Sequence, residues 1–394
     1  MKTEKIDKIL EYILYILIFI TPISRSGVSI FTFILLVVWL VKKINHRTLL
    51  NKEYINIKKW LLIYGIVNLL TLFNAINLYG GVANFIDEYL KYTITFIIVL
   101  DILKSEKQFK KVFMILPFSA VLVFAYGIYQ HDILDIKRIA ISFSNPNPAG
   151  TYAMITTLLN ISFLIWFKQR WVKIVTAFLA IFGSIILIYT GSRGAILGYV
   201  TGFIIIIIIS IKKYEFKKYW KLLLILFVMM VLLINLVPSN VLYRFKKISD
   251  LKTVEQRLFM YKTGLKLISD HPLLGIGRGQ FRYTYPYYKP EQARNFTHIH
   301  SLYIHLPVEI GIPGFIIFLL LLKKIFYDNI KKWKGNNPWL HYGVIIGVVG
   351  AGVHNFFDWT FLNSQVGIYL IILTAMWLNN INYEVLEELE ENND

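Results

Sequence analysis

The chain has 394 residues, a net charge of +18 and 56% apolar residues, and it contains no cysteine. Apolar segments near the roughly 20 residues that a membrane helix needs recur along nearly the whole chain, which excludes a large soluble domain. The lack of cysteine excludes disulfides and thiolate metal ligands, and the basic residues flank the apolar segments, which favours a topology signal over a nucleic-acid surface.

Twelve apolar segments predict membrane helices, so the expected fold class is an all-α, polytopic integral membrane protein. Their centres lie, in chain order, near Leu14, Leu35, Gly65, Thr95, Val121, Thr156, Ala180, Gly202, Phe227, Gly311, Gly347 and Leu370. We expect residues 1–236 to hold spans 1 to 9, residues 237–299 a long, partly helical loop, residues 300–380 spans 10 to 12, and residues 381–394 an acidic tail. The first segment follows lysines, as in a signal peptide, but it lacks a small-residue cleavage site and is predicted to remain as a helix.

Lysine and arginine concentrate in alternate connections, namely the N-terminal segment and the connections after spans 2, 4, 6, 8 and 10. Because cytoplasmic loops carry the excess of basic residues, both termini are predicted to be cytoplasmic and the long loop to face outward. The short outward connections hold only four basic residues, which are Arg25, Lys137, Arg138 and Arg193.

Polar and ionisable residues gather at the predicted outer ends of the spans: Asn145, Asn147, Arg193, His300, His354 and Asp358. A random distribution would place about half of them on each side, so their clustering favours a site. Local explanations stand beside this hypothesis. The Asn-Pro-Asn-Pro run suits a helix entry, and Arg193 in its Gly-flanked turn suits an anchor at lipid headgroups. His354 and Asp358, four residues apart, are interpreted first as a structural pair on one helix face.

The long loop contains a predicted amphipathic helix on the domain or bilayer surface. Thr253-Val-Glu-Gln256 resembles a capping box, and apolar residues then follow at helical spacing up to Pro272: Val254, Leu258, Tyr261, Leu265 and Ile268. Arg257, in the first turns, is interpreted either as a phosphate ligand with two aligned donors or as a snorkelling surface residue. Arg278 and Arg282, in the Gly- and Tyr-rich stretch that follows, are further candidates for substrate binding.

Three histidines, His298, His300 and His305, occur close together just before and within span 10. No carboxylate or cysteine accompanies them at a suitable sequence spacing, so no metal site is predicted. A single outward-facing histidine near two arginines fits acid–base chemistry on a phosphorylated substrate better.

Three short motifs, in this order along the chain, resemble the O-antigen ligase and polymerase family of bacterial membrane glycosyltransferases. Arg193 and Leu197 match an Arg-x-x-x-Leu pattern, and Arg257 is followed by the helix and by His271-Pro-Leu-Leu-Gly-Ile-Gly277. His300-Ser301, nine residues, then Gly311, two residues and Gly314 match the pattern of the ligase branch. His305 departs from the family, in which an amide is common at that position.

The resemblance implies transfer of a glycan from undecaprenyl pyrophosphate to a hydroxyl at the periplasmic face of the bacterial inner membrane, with no metal or nucleotide cofactor. The acceptor would be a sugar of the lipid A–core or another glycan, with membrane lipids as surroundings and no nucleic-acid partner. His300 would be the general base, and Arg193 and Arg257 would stabilise the departing diphosphate. Arg278, Arg282, Asn145 and Asn147 would bind substrate, and in-line attack would invert the anomeric carbon.

Two other functions stay open. A polysaccharide polymerase would use the same residues on a lipid-linked acceptor. A lipid-linked sugar transporter would need charges near the middle of the bilayer, for which Asp87, Glu88 and Lys91 are the candidates, with Glu88 and Lys91 able to pair.

Overall fold

The computed structural model describes residues 3–46, 54–166, 169–213, 251–333 and 338–391, and every regular element in these ranges is helical. The first part of the chain forms α1 (Thr3–Ile20), α2 (Arg25–His46), α3 (Ile55–Thr71), α4 (Leu78–Asn84), α5 (Lys91–Ile102), α6 (Glu106–Ile128), α7 (Pro146–Trp166), α8 (Arg170–Thr190) and α9 (Arg193–Lys213). The later part forms α10 (Leu251–Asp270), α11 (Phe281–Tyr288), α12 (Leu302–Ile325), α13 (Tyr327–Ile330), α14 (Pro338–His354) and α15 (Ser364–Glu391). A π-helical segment, Phe85–Leu90, joins α4 to α5.

Within the described ranges, seven helices are long and apolar enough to cross a membrane, which are α2, α3, α6, α7, α8, α9 and α12. Shorter apolar stretches lie in α14 and α15. The all-α, polytopic class is therefore confirmed, whereas the number of twelve spans is not: α1 begins with charged residues and α5 has only 12 residues. The predicted ninth span, around Phe227, lies outside the described residues.

Helix α7 is the centre of the bundle, because its whole membrane stretch is buried and it packs against α8, α9 and α14. Small residues let these helices approach closely, as membrane helices do where apolar side chains alone give little driving force. A Cβ on Gly198 would lie 2.4 Å from the carbonyl oxygen of Gly350, and one on Gly183 would lie 2.2 Å from Thr157 Oγ1.

Helix α12 is broken at Gly311, which has φ +71° and ψ 172°, a region of backbone space open almost only to glycine. The break frees backbone groups that the loop after α10 satisfies. Ile276 N–H donates to Val308 O at 2.9 Å, Gly277 N–H to Glu309 O at 3.1 Å, and Ile312 N–H to the Pro272 carbonyl oxygen at 2.8 Å. The loop is thereby fixed to the first half of α12, which begins just after His300.

Helix α10 differs from its predicted form in two respects. It already runs from Leu251, so Thr253 lies inside the helix and not at its start. Gln256, the other end of the expected capping box, instead donates to the Gln292 carbonyl oxygen at 3.0 Å and accepts from Arg294 N–H at 2.7 Å. The buried face is also rotated from the predicted stripe: Tyr261 and Ile268 pack inward, whereas Val254, Leu258 and Leu265 are exposed. The face that packs on α12 and the segment before it is formed by Met260, Thr263, Gly264 and Leu267.

Candidate functional site

A polar cavity of about 580 Å³ lies where several helix connections meet. Its wall is built by the start of α2, the segment that joins α4 to α5, the entrance of α7, α11 with the segment before α12, and the turn between α14 and α15. Four of the predicted site residues line it, which are Asn145, Asn147, Arg282 and His300. Connections that the charge pattern assigned to one side of the membrane thus converge on one site.

The backbone on both sides of this site is fixed by Asn355, at the end of α14. Leu302 N–H donates to the Asn355 carbonyl oxygen at 2.9 Å, and Thr360 N–H donates to Asn355 Oδ1 at 3.0 Å. From α10, the Tyr261 hydroxyl donates to the carbonyl oxygen of His300 at 2.8 Å. The chain around His300 and the chain around Asp358 are therefore held next to one another.

His300 and Asp358 form an imidazole–carboxylate pair in the cavity wall. His300 Nδ1 lies 2.9 Å from Asp358 Oδ1, which also accepts from Trp359 N–H at 2.8 Å. Burial by itself raises the pKa of Asp358, but hydrogen bonds from His298 and His300 outweigh it, and the pKa of this carboxyl lies well below its usual range. An ionised carboxylate only accepts hydrogen bonds, so the proton of a neutral His300 ring is held on Nδ1 and Nε2 keeps its lone pair.

Asn147 positions the other carboxylate oxygen. Its Nδ2 donates to Asp358 Oδ2, and its Oδ1 accepts from Arg138 Nη2 at 2.6 Å. Arg138 is anchored in turn by the carbonyl oxygen of Thr190 at 2.8 Å. Asn145 Oδ1 accepts from the Asn147 backbone N–H at 3.0 Å, which fits the helix entry proposed for this run.

The predicted pair of His354 and Asp358 is wrong. Helix α14 ends at His354, so Asp358 is no longer one turn further along the same face. His354 binds Thr151 Oγ1 at 2.9 Å through Nδ1 and Ser192 Oγ at 3.3 Å through Nε2, and Asp358 turns towards His300 instead.

A second ionic cluster lies beside Trp359 and is mostly enclosed, although its Glu88 also lines the polar cavity. Arg278 is 5% exposed and pairs with Glu88 and with Glu309, the latter at 3.3 Å. Its guanidinium carbon lies 5.2 Å from the centre of a Trp359 ring, and His305 Nε2 lies 3.2 Å from Glu309 Oε1. Arg278 is not among the residues that line the polar cavity, and its binding of substrate stays a prediction.

This cluster also corrects the pairing expected around α5. Lys91 Nζ lies 3.3 Å from Asp87 Oδ1, not beside Glu88. Glu88 instead forms an ion pair with Arg278.

The two arginines predicted to bind diphosphate are not among the residues that line the cavity. Arg193 is exposed at the start of α9, directly after Ser192. Arg257 is half-buried in α10, one turn before Tyr261. Tyr261 contacts the lining residue His300, whereas Ser192 contacts His354, which is not among the lining residues. The catalytic role of both arginines stays a prediction.

Sequence reasoning missed two cations of the lining, Arg25 and Lys91. It also missed Arg138, which supports the wall through Asn147. The sequence does contain an indication for Arg25 and Arg138. They are among the few basic residues in the short connections predicted to face outward. An exception to the positive-inside pattern needs a reason other than topology.

The fold also brings together three side chains that can ligate a metal ion, although their sequence spacing predicts no metal site. His298, His300 and Asp358 offer ligand atoms that lie within 4.8 Å of one another. The fold supplies the carboxylate from a residue 58 positions after His300. The predicted absence of a required metal stays a prediction.

Comparison with known families finds a match over a central part of the chain. The family described as O-antigen ligase matches residues 178–319, just over a third of the chain. This range runs from α8 into α12 and includes Arg193, Arg257 and His300. It confirms the family resemblance that the motifs indicated. Among curated proteins, nothing matches the chain.

Proposed function

We propose that this chain, which resembles the O-antigen ligase family over residues 178–319, is a glycosyltransferase of the bacterial inner membrane. It would transfer a glycan from undecaprenyl pyrophosphate to a sugar hydroxyl of lipid A–core at the periplasmic face. The observation that supports this most is the His300–Asp358 pair in the wall of a cavity that also presents cations.

His300 would act as the general base. Its Nε2 takes the proton of the acceptor hydroxyl while the hydroxyl oxygen bonds to the anomeric carbon of the donor. The bond from that carbon to the phosphate oxygen breaks, and the diphosphate leaves with the electron pair. Asp358 stabilises the imidazolium that forms, as a carboxylate does in other imidazole-based sites. Proton removal of this kind is typically worth about 10²–10⁴-fold, and attack opposite the leaving group inverts the anomeric carbon.

Arginines and a lysine would stabilise the departing diphosphate. Negative charge on this group is greater in the transition state than in the ground state, so fixed cations around it lower the barrier. Arg25, Lys91 and Arg282 line the cavity, and Arg257 lies one turn before Tyr261, which contacts His300. We propose that Arg193 and Arg257 bind the diphosphate and that Arg282 and Asn145 contact the glycan or the diphosphate at the cavity wall.

A transfer assay with purified components tests this proposal. It mixes the protein with a lipid-pyrophosphate-linked glycan and lipid A–core, without added metal. The expected products are an inverted glycosidic bond and free undecaprenyl pyrophosphate. Arg193→Ala, Arg257→Ala and Arg282→Ala should each lower turnover, whereas Arg294→Ala, an exposed arginine outside the cavity lining, should not. Normal turnover in all three variants, with normal folding, would remove this assignment of the cations.

The same assay separates the ligase from the polymerase. A product formed only with a second lipid-linked repeat as acceptor would make the chain a polymerase with the same site. In a deletion strain, loss of a ligase leaves long lipid-linked chains, whereas loss of a polymerase leaves single repeats. Movement of the lipid-linked glycan across vesicles without a new covalent bond would favour the transporter.

A further inference from the structure

One corner of the polar cavity brings together three metal-ligating side chains. His300 Nδ1 lies 2.9 Å from Asp358 Oδ1, and His298 Nε2 lies 3.7 Å from the same oxygen. Tetrahedral ligands about 2.0–2.1 Å from a zinc ion are roughly 3.3 Å apart. These two separations lie on either side of this value, and all three ligand atoms lie within 4.8 Å of one another, so side-chain movements could bring them around one ion.

The surroundings hold these ligands in place. Asp358 is fixed by Asn147 Nδ2 on Oδ2 and by Trp359 N–H on Oδ1, and His298 Nδ1 lies 3.1 Å from Thr297 Oγ1. Partners of this kind orient metal ligands and raise affinity. Two imidazoles and one carboxylate suit divalent transition metals better than Mg²⁺ or Ca²⁺, which prefer oxygen ligands.

We propose that a divalent transition-metal ion binds to His298, His300 and Asp358 and inhibits the transfer reaction. The inhibition rests on the function proposed above, whereas the binding does not. The nitrogen of His300 that faces this corner is Nδ1, so the ion would take the Nδ1 lone pair. The single proton of the neutral ring then moves from Nδ1 to Nε2. Nε2 thereby loses the lone pair that would accept the proton of the acceptor hydroxyl.

Titration of the metal-free, purified full chain with Co²⁺ tests the binding. Co²⁺ reports nitrogen ligands through its visible absorption bands, and we expect one ion per chain. His298→Gln should weaken binding by about 10-fold or more. His131→Gln is the matched control, because His131 also pairs with a carboxylate, Asp132 at 2.6 Å, but is not among the cavity-lining residues. Its Co²⁺ binding should equal that of the wild type.

Transfer is then measured with Zn²⁺ at concentrations that saturate the site, and again after chelation. We expect wild-type activity to be lost and restored, and His298→Gln to keep a larger share of its own metal-free rate. Three results would overturn the proposal: failure to bind one ion, equal Co²⁺ binding by the wild type and His298→Gln, or activation of transfer by Zn²⁺. Binding that depends on His298 without loss of transfer would overturn the inhibition. Such binding in a chain with no transfer activity in any condition would instead overturn the proposed function and leave the metal site standing.

Discussion

Two histidine–carboxylate pairs stand five residues apart, and their surroundings differ. His300 pairs with Asp358 at 2.9 Å, and its side chain is 26% exposed to the polar cavity. His305 pairs with Glu309 at 3.2 Å, and its side chain is 2% exposed. Both ring nitrogens of His305 are used, because Nδ1 also accepts from Ile299 N–H at 3.0 Å. For His300, the described part of the chain gives Nε2 no hydrogen-bond partner.

The difference separates a chemical role from a structural one. Because His305 Nδ1 accepts, its proton lies on Nε2 and is donated to Glu309, so no lone pair remains for a substrate. The His305 ring is also enclosed by Phe281 and Trp359, with ring centres 5.3 and 3.9 Å away. A histidine paired with a carboxylate is thus fully bonded at one position, whereas at the other it keeps a ring nitrogen that can serve as the proposed base.

Removal of the cation from the enclosed cluster gives the largest expected effect. Arg278→Ala leaves the buried Glu309 and the partly buried Glu88 without their shared partner, and breaking a buried pair destabilises by about 3–5 kcal/mol. Thermal unfolding in detergent measures the loss. Arg278→Met combined with Glu88→Gln should recover part of it, because one unpaired charge is then also removed. A single variant that melts like the wild type would show that this cluster does not stabilise the fold.

Replacement of the carboxylate at the open pair comes next. Asp358→Asn keeps the shape, but its amide can donate to His300 Nδ1 and thus favour the wrong tautomer. We expect turnover to fall by about 10²-fold, which is about 2.7 kcal/mol of barrier, with little change in melting temperature. Initial rates with saturating donor and acceptor measure it. Asp358→Glu should retain more activity than Asp358→Asn, and the reverse order would contradict the tautomer assignment.

Gly311, where α12 breaks, lies at the point where the loop that carries Arg278 packs against α12. In Gly311→Ala, the new Cβ would lie 2.1 Å from the carbonyl oxygen of Leu273, and the backbone strain alone is about 1–3 kcal/mol. We expect a loss of stability of this order in thermal unfolding. Gly352→Ala is the control, because its Cβ would meet only Tyr303 Oη at an ordinary 3.4 Å. Equal melting of the two variants would mean that the loop does not need this break.

The sequence predicted the helical class and proposed His300 as a site residue, and the structure places His300 in the cavity wall. Hydropathy and a short motif are local properties, so both can be read without the fold. The sequence did not predict the partner of His300. His354 and Asp358 were placed on one helix face by their spacing, and only the end of α14 at His354 separates them. The sequence also does not predict the role of His305, because the Ile299 N–H that binds its Nδ1 lies in the irregular segment before α12. The charge pattern marks Arg25 and Arg138 as exceptions to the positive-inside rule. It does not predict that Arg25 lines the polar cavity or that Arg138 supports its wall through Asn147.

The most direct test compares His300→Gln with His305→Gln in the purified transfer assay. The account predicts that His300→Gln lowers turnover by about 10²–10⁴-fold at an unchanged melting temperature. His305→Gln should stay close to wild-type turnover, because its amide can accept from Ile299 N–H and donate to Glu309. A folded His300→Gln variant with near-normal turnover, or a folded His305→Gln variant that loses it, would contradict the assignment of His300 as the base.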